Sequence, residues 1–144
     1  MRITPKRFIL STVALLLVFL GACSEQDLKE EYAIEIMKID LRAIDQMEVL
    51  ADGFERGEID GYAFRMGLFE IKLAEAHSLM TLSRTERFRT LALEEMPFME
   101  TFLGDDEPLP RILPVPEEHE ILALDFLDSL INPHLMFVLE RVDE

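Results

Sequence analysis

Between Asp60 and Met80 the apolar side chains Tyr62, Met66, Phe69, Leu73, Ala76 and Met80 recur at alternating intervals of four and three. An α-helix turns once every 3.6 residues, so this spacing gathers all six on one stripe, whereas a half-buried strand needs alternation at every second residue. A helix with such a stripe must lay it against another element. The rest of the chain supplies helices with the same need. Ile34, Met37, Leu41, Ile44, Met47 and Leu50 repeat the spacing in an earlier segment. Its acidic first turns (Glu25, Asp27, Glu30, Glu31) suit the positive end of a helix dipole, with Ser24 or Asp27 as the expected cap.

Ser83 or Thr85 is placed to cap a third helix bearing Phe88, Leu91, Ala92 and Met96. Pro97 must kink or restart that helix because its nitrogen has no hydrogen to donate, and Phe98, Phe102 and Leu103 continue the apolar face. Residues 104–116 read GDDEPLPRILPVP, whose four prolines exclude regular helix and predict a linker of polyproline character. A last helix is expected from about Glu117, burying Leu124, Leu127, Ile131 and Val138 and bending at Pro133. No long alternating run marks a strand, and no segment repeats another. The chain is therefore expected to be all-α, a small antiparallel helical-hairpin bundle of about four helices.

The segment preceding these helices has a different character. Arg2, Lys6 and Arg7 form a basic start, an apolar run extends from Ile9 to Leu20, and Gly21, Ala22 and Cys23 lead into the polar sequence beginning at Ser24. That order is the one of an export signal, and the run is shorter than the roughly 20 residues that a spanning helix needs. Leu20-Gly21-Ala22-Cys23 resembles the lipobox of bacterial lipoproteins. The resemblance covers the signal and Cys23 only. It implies that residues 1–22 are a cleaved signal peptide and that the Cys23 thiol carries a diacylglycerol, with a further acyl chain on the new terminal amine. Two or three chains turn marginal bilayer contact, about 0.8 kcal/mol per buried methylene, into lasting anchorage. Ser24 in place of Asp favours the outer membrane in a Gram-negative host, and otherwise the anchored chain faces the periplasm or cell exterior.

Cys23 is the only cysteine, so the acidic domain 23–144 has no internal disulfide and must hold together by packing, for which its 122 residues suffice. Removal of the signal leaves 11 basic against 29 acidic side chains. Such a surface repels nucleic acid and attracts cationic groups. The segment from Asp52 to Ala63 resembles an EF-hand at Asp52, Gly57, Ile59 and Asp60. Phe54 and Arg56 occupy positions that need oxygen ligands, and Ala63 stands where a bidentate Glu should close the loop, so a glycine-bearing hairpin turn is expected instead. Gly53, Gly57 and Gly61, four apart, sit among charges and fit that turn.

His77, His119 and His134 are too scattered for a local metal site, and Glu117, Glu118, His119 and Glu120 suit a helix start better than a metal. Ser78, Ser83 and Ser129 belong to no nucleophile motif, and no phosphate-binding loop is present. Met37, Met47, Met66, Met80 and Met96 fall on the expected buried stripes. These readings predict a lipid-anchored, non-enzymatic protein-binding or assembly module with no cofactor beyond its covalent lipid. Its expected partner is cationic or helical. The alternative is a small ligand- or metal-binding domain, possibly enzymatic, with its site between helices.

Overall fold

Four helices account for most of the computed structural model: α1 (Pro5–Glu55), α2 (Gly61–Arg84), α3 (Arg89–Glu95) and α4 (Glu117–Val142), with a 3-10 turn at Pro97–Met99. The structure describes residues 5–100 and 117–142, and side chains within 25–100 and 123–142. Among these residues there is no strand, and the helices form the all-α bundle that the periodicity predicts. The expected linker at 104–116 lies outside the described residues, as do Phe102 and Leu103.

The connection from α1 to α2 is set by glycine and aspartate. Gly57 has φ +73°, a left-handed conformation that costs a residue with a Cβ but not glycine. It lets the amide of Gly57 donate to the Phe54 carbonyl (3.1 Å) and that of Glu58 to the Gly53 carbonyl (2.9 Å), which satisfies carbonyls at the end of α1. Asp60 then caps α2, its carboxylate accepting from the Ala63 amide at 2.8 Å. The Phe54 and Phe64 rings, with centroids 5.0 Å apart, close the hairpin.

Farther from the turn, Leu50 lies against Gly67, where a Cβ would come within 2.7 Å of a Leu50 methyl, and Tyr32 meets Ser83. Residue numbers fall along α1 as they rise along α2, so the two helices are antiparallel. Lys72 pairs with Asp128 and Ser83 with His134, which places α4 beside α2 in the same sense and antiparallel to α1. Helix α3 closes one end: Tyr32 packs on Phe88 (4.9 Å between centroids), and Lys29 pairs with Glu95 at 3.3 Å.

Tyr32, Ile36, Leu79, Met80, Met99, Leu127 and Leu130 are fully buried where these elements meet. Each large apolar side chain removed from water contributes about 1.5–3 kcal/mol, the main stabilisation open to a chain without disulfides. Phe69, Ala76 and Met80 of the expected α2 stripe are buried, and Tyr62 is exposed at the hairpin. Leu127, Ile131 and Val138 of α4 are buried as expected, and the helix runs on through Pro133.

Three expectations are corrected. In this structure α1 runs from Pro5, so Ser24 and Asp27 are interior positions and not caps. Ser83 lies in the last turn of α2 with its side chain in the core, while Thr85 is the residue at which α2 stops. The largest difference concerns α1: Ile34 (52 %), Met37 (43 %), Leu41 (54 %) and Ile44 (40 %) are exposed, and the core takes Tyr32, Ala33, Ile36 and Ala43 instead. Tyr32 is drawn inward because its ring stacks on Phe88 and Phe137 while its hydroxyl finds Ser83. The small Ala33 and Ala43 suit close helix approach. Met47 and Leu50 are partly buried because they fall within reach of both stripes.

Candidate functional site

Polar side chains within buried arcs of α2 and α4 create the first notable constellation. Ser83 follows Ala76 and Leu79 on α2, and His134 sits between Ile131 and Val138 on α4, so helix geometry turns both inward. The Ser83 Oγ lies 2.7 Å from the Tyr32 hydroxyl, 3.1 Å from His134 Nε2 and 2.8 Å from the Leu79 carbonyl. His134 Nδ1 is 2.7 Å from the Leu130 carbonyl, which fixes that nitrogen as the donor and leaves Nε2 as an acceptor in the neutral ring. Burial holds the His134 pKa below its ordinary value and pushes the Tyr32 phenol up to about 12. The chain runs Tyr32 to Ser83 to His134 to backbone, with no residue in it exposed to solvent. It satisfies buried polar groups and ties three helices together. No substrate reaches it in this conformation.

A second cluster joins α1, α2 and α4 nearby in sequence. Glu75, only 5 % exposed, hydrogen-bonds Asp40, while Lys72 pairs with Asp128 at 2.5 Å. Desolvation, followed by Asp40 and the negative charge of Asp128, raises the Glu75 pKa from 4.5 to about 8, against the lowering influence of Lys72. Glu75 is therefore largely protonated at neutral pH. Its proton serves the bond to Asp40, and its Oε1 has no hydrogen-bond partner.

The third feature is an open groove of about 490 Å³ between the 3-10 turn and α4. Met96, Pro97 and Phe98 form one wall; Pro133, Met136 and Phe137 form the other. Glu95 and Glu140 border it, with Ser129 and Asn132 between them. Pro97 ends α3 and redirects the chain through Met99, whose burial anchors the turn and leaves Phe98 partly outside. Along α4, Met136, Leu139 and Val142 extend the apolar surface, each more than half exposed.

The residues singled out from sequence fall differently. The backbone of Leu20, Gly21, Ala22 and Cys23 lies within α1, and their side chains are outside the described residues. His77 is exposed, His134 is in the core, and the side chain of His119 is outside the described residues; among the described residues no histidine lines the groove. Asp52 and Asp60 flank a helix stop and a helix cap. Among the described residues no three His, Cys, Asp or Glu side chains converge to hold a metal, and no helix is long and apolar enough to cross a membrane. Periodicity alone did not disclose Glu75, Lys72 and Ser83. Their signal was a polar residue within or beside the apolar arc of Phe69, Ala76, Leu79 and Met80.

No protein-family model, curated protein or solved structure matches this chain.

Proposed function

We propose that this chain is a lipoprotein, anchored to a bacterial envelope membrane through Cys23, whose acidic helical domain docks a cationic amphipathic segment of another envelope protein. The groove between the 3-10 turn and α4 carries the docking reading. Its apolar walls, with Met96 and Phe98 on one side and Met136 and Phe137 on the other, suit the apolar face of a short helix or extended peptide, and methionine adapts to irregular shapes. Glu140 stands exposed at its margin, with Glu95 beside it paired to Lys29, on a chain of net charge −15, so a partner carrying lysine or arginine beside its apolar anchors is favoured over an acidic one. Tethering to a surface confines the search for such a partner and raises its effective concentration.

Fluorescence anisotropy of a labelled amphipathic peptide with a Leu/Phe face and a lysine face tests the docking. The full chain should bind it, and Met136→Glu should abolish binding while leaving the helical circular dichroism intact. Affinity should fall with salt, because Glu140 at the rim is solvent-exposed. A peptide with glutamate in place of lysine that binds equally well refutes the charge selection, and unchanged binding by Met136→Glu refutes the groove. Fatty-acid labelling of the wild type beside Cys23→Ser tests the anchor separately; a label retained in the variant overturns it.

A further inference from the structure

Helix α1 presents an outer apolar face that neither the core nor the groove uses. Ile34, Met37, Leu41 and Ile44 are all exposed on it. Their spacing of three, four and three repeats after seven residues, 34 with 41 and 37 with 44, the spacing by which one helix keeps a narrow seam toward another. Tyr32, Ile36, Ile39 and Ala43 occupy the arc that packs into the bundle, and at 3.6 residues per turn the seam lies on roughly the opposite side of the helix. Single exposed apolar side chains are ordinary on a protein surface. Four in register over about 15 Å of helix form a continuous strip of the kind that marks an interaction surface.

Charge decides what fits this seam. Continuing the same repeat, Asp27 and Glu30 fill the positions before Ile34, and Glu48 and Glu55 fill positions after Ile44, all of them exposed. Lys29 and Arg56, beside these acids in the chain, are paired with Glu95 and Glu58. Lys38 and Arg42 stand on one flank at mid-seam, so it is the two ends that are acidic. A second copy of this chain fits poorly: antiparallel pairing that lays Ile34 on Ile44 and Met37 on Leu41 also lays Glu30 on Glu48, and parallel pairing lays each acid on its own counterpart. Residues 104–116 are no better matched, with Asp105, Asp106 and Glu107 against Arg111, and an anionic lipid surface meets the same carboxylates. We propose that the outer seam of α1 docks a helix of another protein whose apolar stripe spans about three turns and carries lysine or arginine at both ends. Among the described residues the groove is lined from α4 and the segment joining α3 to the 3-10 turn, with none from α1, so the two surfaces stand or fall independently.

The test is fluorescence anisotropy of a labelled helical peptide with leucine at the seam positions over three turns and lysines at both ends. The full chain is held in phosphatidylcholine nanodiscs, with the groove blocked by Met136→Glu and empty nanodiscs as the blank. Saturable binding is expected. Adding Leu41→Glu should weaken it at least about tenfold with the helical circular dichroism unchanged, because Leu41 is exposed and outside the core. A peptide with glutamate at both ends should bind at least about tenfold more weakly than the lysine one, and Glu30→Gln/Glu48→Gln should narrow that preference. Absence of saturable binding, a Leu41→Glu chain that binds as tightly, or equal binding of the two peptides overturns the proposal. Cross-linking of chains in vesicles that Leu41→Glu removes assigns the seam to a second copy and overturns it. So does a bimane on Leu41→Cys whose emission is already that of an apolar medium before peptide is added, which assigns the seam to lipid.

Discussion

Replacing Glu75 with Gln should stabilise the protein, and by an amount that depends on pH. In the unfolded chain Glu75 titrates at its ordinary value of 4.5, whereas in the folded chain burial and Asp40 raise it to about 8. Between those values the folded state holds a proton that the unfolded state releases, so stability falls as pH rises through that window. One pKa unit corresponds to about 1.4 kcal/mol, which puts the loss at about 3 kcal/mol by pH 7 and about 5 kcal/mol above pH 8. Gln keeps the shape of the protonated acid, and its amide donates to Asp40 without a proton being taken up. Urea denaturation followed by circular dichroism from pH 4 to 9 checks this. The difference between Glu75→Gln and wild type should be near zero below pH 4.5, about 3 kcal/mol at pH 7, and level beyond pH 8. In thermal melts the pH 7 difference corresponds to roughly 10 °C for a chain of this size. A constant difference across the range, or a variant weaker than wild type at pH 7, refutes the assignment of a protonated Glu75 to the core. His134 does not confuse the comparison, since it is present in both proteins.

His134 contributes in the opposite direction: with its folded pKa depressed, the unfolded state binds the extra proton, so stability is full above pH 6.5 and declines on acidification below it. That decline should be visible in Glu75→Gln and absent from Glu75→Gln/His134→Gln, measured by the same urea titrations. Ser83→Ala strands the Tyr32 hydroxyl and His134 Nε2 in the core and should cost about 1–3 kcal/mol in denaturant melts. Ile36→Ala should cost about 2–5 kcal/mol, whereas Leu41→Ala should stay within about 0.5 kcal/mol, because only the first is buried. Gly57→Ala meets no atom within 4 Å, yet should lose about 1 kcal/mol in thermal unfolding from its left-handed backbone alone.

Local chemistry was readable along the chain. The three-and-four spacing fixed helices as the elements, Gly57 and Asp60 marked where one stops and the next begins, and Pro97 forced the restart that became the 3-10 turn. These are properties of a few consecutive residues, so no distant contact was needed to find them. Which face of α1 is buried is a different matter. Its residues offer two apolar stripes, Ile34-Met37-Leu41-Ile44 and Tyr32-Ile36-Ile39-Ala43, and both satisfy helical periodicity. The choice between them rests on Ser83 of α2, Phe88 ahead of α3, and Phe137 of α4, more than fifty residues away, which together accept the ring and hydroxyl of Tyr32.

The same limit governs the sites. The expectation of a lipid on Cys23 rests on a contiguous run, Leu20-Gly21-Ala22-Cys23, and so on no feature of the fold. Glu75 and Asp40 are 35 positions apart, and their shared proton arises only where two antiparallel helices bring them together out of water. The groove depends on Pro97 turning the chain back beside Pro133 and Met136. Periodicity selects the elements because it is a property of one helix. Burial, proton affinity and the shape of an opening belong to the way several helices pack, and those only the tertiary structure decides.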